Sequence, residues 1–342
     1  MSVLHAVEAL EALEALTGGM RRVNRAPAIL GGMWLLTLAV SLPLALTMRD
    51  MLAQHLGASL AADRAAAGVN YDWMQEFADQ ASGVGVTFKP TIIGFGAVLD
   101  NLSGFLDNVP RPIVIISAAS AYIVLWMFAA GGILDRYARD RATRAHGFFP
   151  PSGVFFFRFL RLGVVQWLVY AALFGLVHPL LFDRFFGRIT HDMTVERSAF
   201  ALRVGFYIAF GIVVAACNLI FDYAKVRAIV EDRRSIVGAI SAAVRFVRSN
   251  PAAIGLYAMN AALFVIVVAI YAIVAPGAGS AGASMWIGLA VSQIYIAARL
   301  WVKLVFWASE VALFQQRFAH AGYIAAPQPV WPESPAAEAI RA

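Results

Sequence analysis

Four polar residues in the last long apolar stretch of the chain share one face of a predicted helix. Steps of 7, 4 and 7 residues, about two, one and two helical turns, separate Ser292, Arg299, Lys303 and Glu310. Arg299 and Lys303 lie one turn apart, so their charges repel each other unless an anionic group neutralises them. Because charged side chains within an apolar span are costly, they mark functional positions. We therefore predict an intramembrane binding site around Arg299 and Lys303.

Two carboxylates at the ends of neighbouring apolar stretches are candidate partners for these cations. Asp135 and Asp222 each close such a stretch, as Glu310 does. A lipid phosphate is the alternative partner, reached if both long side chains extend to the membrane interface. Arg299 is 11 residues, about 16 Å of helix, from Glu310, a long reach for that alternative. The candidate binding set is Arg299, Lys303, Glu310, Asp222, Asp135 and Asn218, the last one turn before Asp222.

No catalytic or metal-binding motif accompanies this set. The chain has no glycine-rich phosphate loop that opens a helix, no His-Glu-x-x-His and no serine in a nucleophile elbow. Its single cysteine, Cys217, excludes an intramolecular disulfide and a cysteine-rich metal site. We predict no catalytic residue, no metal and no cofactor, and hence no enzymatic activity.

The overall composition indicates an integral membrane protein. Of the 342 residues 61% are hydrophobic and 14% are charged, and the mean hydropathy is +0.71, far from the soluble globular range. A helix needs about 20 apolar residues to cross the hydrocarbon core with every backbone polar group paired. Six stretches meet this requirement, at residues 27–47, 112–134, 160–182, 200–221, 252–274 and 285–309.

Basic residues are concentrated on one predicted side of the membrane. That side carries 17 of the 27 Lys and Arg residues, so by the positive-inside rule it is cytoplasmic, and both termini lie there. The net charge of +6 is explained by anionic lipid headgroups, without a nucleic-acid partner. The predicted headgroup-binding residues are Arg21, Arg22, Arg158, Arg161, Arg245 and Arg248. The predicted location is the inner membrane of a bacterial cell.

The long outer loop, residues 48–111, and the tail, residues 311–342, are predicted to lie outside the spans. Residues 91–106 are apolar but contain Asp100 and Asn101, so we predict a helix on or dipping into the outer leaflet. The rest of the loop has the spacing of short amphipathic helices. The tail is rich in Pro and Ala and is predicted to be largely disordered.

A repeated phrase divides the chain into units. RRVNRAPAILG at 21–31 matches RFVRSNPAAIG at 245–255, and FRFLR at 157–161 resembles VRFVR at 244–248. Asp135, Asp222 and Glu310 follow one another at intervals of 87 and 88 residues. We predict an all-α membrane protein with six transmembrane helices in three repeated hairpin units, each preceded by a cytoplasmic amphipathic helix. The segments are 1–26, a cytoplasmic helix, and the units 27–134, 135–221 and 222–310.

The amphipathic helix before the fifth span is the clearest of these leading segments. Its apolar face is predicted to contain Ile236, Ile240, Val244 and Val247. Such a helix lies flat in the headgroup layer, with arginines reaching phosphates. Pro27 and Pro251 suit the first turn of the helix that follows, since their missing N–H needs no partner there.

The order of amphipathic helix, span, outer turn and span supports one family resemblance. With the basic segment RRSIVGAISAAVRFVRSN at 233–250, residues 150–320 resemble bacterial six-span membrane proteins of uncharacterised role, similar to the membrane domain attached to some glycerophosphodiester phosphodiesterases. The soluble phosphodiesterase barrel of those fusions has no counterpart in this sequence, so no catalytic residue carries over. The resemblance implies a helical membrane module connected with lipid or envelope biology.

Three classes of function follow from these observations. The first is a non-enzymatic bacterial membrane protein whose basic cytoplasmic face binds anionic lipid headgroups or a membrane or cytoplasmic protein partner. The second is a transporter or lipid-translocating protein with its site around Arg299 and Lys303. The third is an intramembrane enzyme, for which Asp72, Glu76 and Asp79 of the outer loop are the candidate acids.

Overall fold

The chain is almost entirely helical. The structure is a computed structural model that describes residues 2–57, 59–67, 70–92, 94–142, 144–277 and 283–318, and no strand occurs in those ranges. The helices that do not form the six long apolar segments are α1 (Ser2–Asn24), α3 (Ala62–Ala67), α4 (Tyr71–Gln80), α5 (Gly94–Leu106), α8 (Gly187–Thr190) and α10 (Ile236–Ser249). The long helices are α2 (Pro27–Leu56), α6 (Ile113–Arg139), α7 (Ala145–Ala172), α9 (Glu196–Val230), α11 (Pro251–Val274) and α12 (Ala283–Arg317). Two π-helical turns, Leu173–Val177 and Leu180–Phe186, connect α7 to α8.

The prediction of six spans is confirmed. Each predicted stretch lies inside a helix that is long and apolar enough to cross a membrane, so the protein is multi-pass. Several of these helices extend beyond the predicted stretches because their inner ends are buried in protein. In α12, Val311, Leu313 and Phe314 are fully buried, so residues 311–317 of the predicted disordered tail are helical instead. Residues 319–342 lie outside the described part of the chain.

The second, fourth and sixth long helices, α6, α9 and α12, contact one another. The side on which these three helices end is called the inner side, after the predicted orientation. Trp126 of α6 packs edge-on against Trp307 of α12, with ring centroids 5.5 Å apart. The Trp307 indole N–H in turn donates a hydrogen bond to the Asp222 carboxylate of α9 at 3.3 Å. The inner ends of all three helices are rich in fully buried residues, among them Tyr137 and Leu304. The main hydrophobic core therefore lies at this inner end.

The helix before the first span, α1, packs antiparallel along the inner half of α12. Gly19 lies against the backbone of Ser309, and Glu11 pairs with Arg317 farther along both helices. The contacting face of α1 contains the buried small residues Ala12 and Ala15. This face of α1 is therefore covered by protein, whatever lipid contacts the rest of the helix.

The helix before the fifth span, α10, folds back along the inner end of α9. Arg227 donates to the carbonyl of Ala242 at 2.7 Å, and the rings of Tyr223 and Phe246 lie 4.8 Å apart. Three of the four residues of the predicted apolar face pack against the core, but α10 lies on α9 mainly through small residues that allow close packing. The fully buried residues are Ala239, Ala242, Ala243 and Phe246, whereas Ile236, Ile240 and Val247 are only partly buried at the edge of the core.

The third predicted corner, at residues 157–161, does not exist. Helix α7 runs without a break from Ala145 to Ala172. At the two real corners, Ala26 and Asn250 have φ near −131° and −133°, and each precedes a proline that opens the next helix. No proline occurs between residues 152 and 178, so nothing interrupts the helical hydrogen bonds there. The inner part of α7 packs instead on α6, where a Cβ on Gly132 would lie 2.6 Å from the carbonyl of Phe148.

The outer loop contains the short helices that its spacing predicts, α3 and α4. Helix α5 has 13 residues, which is too short to cross a bilayer, so no seventh span forms there. Asn108, just after α5, donates to the carbonyl of Phe174 at 3.0 Å, and the His178 ring bonds to the carbonyl of Leu106 at 2.7 Å. These contacts attach the loop to the outer part of the helix that continues α7.

The turn between α9 and α10 is stabilised by a carboxylate between two arginines. Glu231 accepts hydrogen bonds from Arg227 at 2.7 and 3.0 Å and another from Arg233. Burial opposes the ionisation of Glu231, but these hydrogen bonds and charges outweigh it and lower its pKa from 4.5 to about 2. The ionised form of Glu231 therefore stabilises the fold.

We expect the contribution of Glu231 to stability to depend on pH. Because its pKa is lower in the folded protein, the stabilisation is complete above the unfolded value of 4.5 and is lost as pH falls towards about 2. The difference in unfolding free energy between wild type and Glu231→Gln should therefore shrink below about pH 5. Denaturant titrations of the detergent-solubilised proteins at several pH values measure it. A difference that is constant down to about pH 3 would contradict this assignment.

Candidate functional site

A cavity of about 570 Å³ lies between α2, α6, α11 and α12. Both predicted cations, Arg299 and Lys303, line it. Its polar atoms otherwise come from Thr37 and Tyr122, whose hydroxyls are hydrogen-bonded to each other at 2.8 Å. The remaining wall is apolar or aromatic and consists of Trp126, Phe264, Ile296, Leu300, Val302 and Phe306. The cavity thus joins two positive charges to an apolar chamber.

The guanidinium of Arg299 is held by aromatic residues. It lies 5.6 Å from the ring centroid of Tyr295. Tyr295 is fixed by stacking on Tyr271 at 3.8 Å. Among the described residues, no carboxylate lies within 4.0 Å of Arg299. A cation–π contact orients a guanidinium without neutralising it, so Arg299 presents a full positive charge.

Within the described part of the chain, Lys303 has one carboxylate within ion-pair distance, Asp222, and it shares this partner with a second lysine. Its ammonium is 3.7 Å from Oδ2 of Asp222, and its side chain is 43% exposed. The ammonium of Lys225 is closer, at 2.8 Å from Oδ1 of the same carboxylate. Both ammonium groups also lie over the Trp307 ring, at 5.1 Å for Lys303 and 5.7 Å for Lys225. The structure brings Lys303 and Asp222 together as predicted, but one carboxylate serves two cations.

Of the other predicted site residues, Asp135 does not belong to this cluster. Both of its oxygens accept from Nε of Arg139, at 2.9 and 2.8 Å. The proposed pairing of Asp135 with the cation pair was therefore wrong, because an arginine one turn later on the same helix already neutralises it. Asn218 accepts a hydrogen bond from the Tyr170 hydroxyl and does not line the cavity. Glu310 is buried beside Asp222 and the lysines, with 1% exposure.

The depth of the cavity can be judged from a contact at the α1–α2 corner. The Trp301 indole N–H donates to Oδ1 of Asn24 at 2.9 Å, and the first span is predicted to begin three residues later, at Pro27. Lys303, two residues after Trp301, therefore lies near the predicted inner boundary. Arg299 lies deeper, because it contacts Tyr295, whose stacking partner Tyr271 is 20 residues into α11. Thr37, ten residues into α2, lines the cavity about 15 Å from the start of that helix by helical rise.

The six predicted headgroup arginines fall into two groups. Arg22 donates to the carbonyl of Tyr137 at 2.9 Å, and burial lowers its pKa. Arg158 bonds to Asp232, and its side chain is only 13% exposed. Both side chains bind protein groups, so the prediction that they bind lipid headgroups was wrong. The four exposed members of the set are Arg21, Arg161, Arg245 and Arg248.

Two residues of the charged cluster were missed from sequence. Lys225 is one turn after Asp222, and Trp307 is one turn after Lys303. The spacing was a usable signal for Lys225, since opposite charges three or four residues apart meet on a helix. No comparable signal identifies Trp307, because its contact with Asp222 crosses from α12 to α9.

Comparison with known proteins adds no residues to this site. The resemblance to bacterial six-span proteins stays a prediction, and function has to be inferred from the cavity and its cations. No protein-family model matches the chain, and neither a curated protein nor a solved structure matches it.

Proposed function

We propose that the protein is a non-enzymatic bacterial membrane protein that binds an anionic lipid of the inner leaflet, with the lipid phosphate between Arg299 and Lys303. The observation that carries the proposal is the charge of the cavity. Arg299 has no carboxylate partner among the described residues, and Lys303 has only a share of Asp222 at 3.7 Å. A phosphate between them supplies the missing negative charge through charge-assisted hydrogen bonds.

The shape and lining of the cavity favour an amphiphile over a small inorganic anion. Phe264, Ile296 and Phe306 offer an apolar wall beside the cations. The volume of about 570 Å³ is within the usual range for small-molecule sites and suits a headgroup with the start of its acyl chains. Lys303 contacts Asp222, which follows the predicted end of the fourth span, so this cation lies near the level of lipid phosphates. The cations therefore suit the phosphate of a phospholipid, and the apolar wall suits the start of its acyl chains.

The exposed arginines have a supporting role in this proposal. Each basic residue near an anionic leaflet contributes about 1 kcal/mol of attraction. Arg245 and Arg248 are exposed on α10 and make no ion pair with a described residue. They would hold the cytoplasmic side on the membrane and raise the local concentration of acidic lipids, without selecting one molecule. This face would also be the docking surface for a protein partner.

The three-unit arrangement belongs to the same proposal. It is supported by the way each inner helical segment packs on a returning helix: α1 on α12, the start of α7 on α6, and α10 on α9. The returning helices also contact one another around one central region. The cavity would then be a specialisation of the interface between the first and third units.

Retention of lipid by the purified protein tests the proposal. After gentle extraction in detergent, native mass spectrometry should find a stoichiometric anionic phospholipid on wild type. Arg299→Ala/Lys303→Ala should reduce occupancy at least tenfold, because two charge-assisted contacts of about 1.5–3 kcal/mol each are removed. The matched control Arg245→Ala/Arg248→Ala removes the same charge from the exposed face and should keep the lipid.

Each other outcome has a definite meaning. Equal loss in both double variants would show that surface charge alone holds the lipid and would refute the cavity site. Retention in both would show that neither pair binds it. The alternative function is that of a lipid-translocating protein whose loading site is the cavity. It is supported if vesicles that contain wild type also move a labelled phospholipid between leaflets and vesicles that contain the cavity variant do not.

A further inference from the structure

A buried carboxyl group, Glu310, lies behind the cationic cavity. Its side chain is 1% exposed, and neither of its oxygens has a hydrogen-bond partner among the described residues. It interacts electrostatically with Asp222, Lys303 and Lys225. Lys303 is therefore shared between the cavity on one side and the two carboxyl groups on the other.

The charged and titratable groups around Glu310 can be assigned to the helices packed on α12. Helix α9 contributes Asp222, Tyr223 and Lys225, and α11 contributes Tyr257. Of the remaining neighbours, α1, α2 and α6, two carry a carboxylate that is already paired: Glu11 of α1 pairs with Arg317, and Asp135 of α6 pairs with Arg139. The local charge balance thus depends on two lysines and two carboxyl groups.

The protonation of Glu310 decides how much positive charge remains for a ligand. An ionised carboxylate without hydrogen bonds is costly in the protein interior, so the packed site favours neutral Glu310. With Glu310 neutral, Asp222 balances one lysine and leaves one positive charge. That charge belongs to Lys303, which is the more distant from Asp222 and the more exposed. With Glu310 ionised, both lysines are balanced, and the phosphate keeps only Arg299 as a cationic partner.

We propose that Glu310 is a proton-binding site linked to the cavity, so that an anionic lipid and a proton bind together. This inference rests on the proposed function. A lipid phosphate near Lys303 makes the surroundings of Glu310 more negative and favours its protonation. By reciprocity, ionisation of Glu310 weakens the hold of Lys303 on the phosphate. The protein would therefore load an acidic lipid at low pH and release it at high pH.

The sign and size of the effect follow from linkage. One proton taken up per lipid bound makes the affinity fall by at most about tenfold per pH unit while Glu310 ionises. We expect the dissociation constant of wild type to rise at least about tenfold between about pH 5 and about pH 9. Glu310→Gln mimics the protonated acid, so it should bind at every pH with the low-pH affinity of wild type.

Quenching of tryptophan fluorescence by phosphatidylglycerol with brominated acyl chains measures this affinity in detergent, because Trp126 lines the cavity. The single phosphate of this lipid keeps its charge over the range. Brominated phosphatidylcholine, which has no net charge, controls for general partitioning. Glu11→Gln is the matched variant, since Glu11 lies on a neighbouring helix and pairs with Arg317; it should keep the pH dependence of wild type.

The outcomes separate the two proposals. If wild type does not prefer phosphatidylglycerol to phosphatidylcholine at any pH, the lipid-binding function fails. If the preference is present but independent of pH, or if Glu310→Gln keeps the wild-type pH dependence, the proton link fails alone. Should Glu310→Gln not fold, proton uptake by wild type on adding phosphatidylglycerol in weak buffer decides, and no uptake at any pH refutes the link.

Discussion

Asp222→Ala is expected to lower the free energy of unfolding by about 3–5 kcal/mol, because it removes one partner of a buried ion pair. Asp222 is 4% exposed and accepts from Lys225 and from the Trp307 indole. Without it, the Lys225 ammonium, on a side chain 18% exposed, loses its counter-ion in a largely dry setting. Denaturant titration in detergent, followed by circular dichroism, measures the change.

Two further variants identify the cause of that loss. Asp222→Ala/Lys225→Met removes both charges and should recover part of the stability, because an apolar pair tolerates burial better than a single charge. Asp232→Ala breaks an ion pair with Arg158 in which the aspartate side chain is 67% exposed. It should cost about 1 kcal/mol or less. Equal losses for Asp222→Ala and Asp232→Ala would contradict a buried charge cluster.

Gly19→Ala is expected to destabilise the packing of α1 on α12 by about 1–3 kcal/mol, the usual cost of overpacking. A Cβ at Gly19 would lie 2.6 Å from the backbone nitrogen of Ser309. Backbone atoms of a long helix cannot move aside as a flexible side chain does, so the two helices must separate. Thermal unfolding in detergent, with partial proteolysis of α1 as a local readout, measures the effect.

The neighbouring glycine provides the control. A Cβ at Gly18 would meet the Cβ of Ala312 at 3.8 Å, an ordinary contact. Gly18→Ala should therefore be neutral or stabilising by up to about 1 kcal/mol, since alanine favours the helix. If both variants have the same effect, α1 does not pack on α12 as described.

The features that sequence predicted correctly are those that depend on local pattern. Six spans follow from apolar length alone, and the corners at Pro27 and Pro251 follow from proline chemistry. The wrongly predicted corner at 157–161 shows the limit of this approach. The segment resembles 244–248 in its basic and aromatic residues, but it lacks the following proline that breaks the helix. In α10 the alanines, and not the larger aliphatic residues, are most buried, because the spacing between packed helices favours small side chains there.

The candidate site was predicted only in part for a related reason. The spacing of Arg299 and Lys303 placed both on one face, and both line the cavity. Whether Asp135 or Asp222 pairs with these cations depends on which helices are in contact. A periodic pattern in the sequence does not encode the contacts between helices. The competing partner of Asp135, Arg139, was nevertheless visible one turn away. Local ion pairs should therefore be assigned before distant ones are inferred.

The antiparallel contact between α1 and α12 has a consequence for the order of assembly. Helix α1 is made before α12, its main partner and the last of the six long helices. The face with Ala12, Ala15 and Leu16 can therefore complete its contacts only after α12 has been made, although α11 covers part of it earlier. Contacts so distant in sequence form slowly. Closing the bundle is thus a late event of biogenesis, and a nascent chain stalled before α12 would present that face to chaperones.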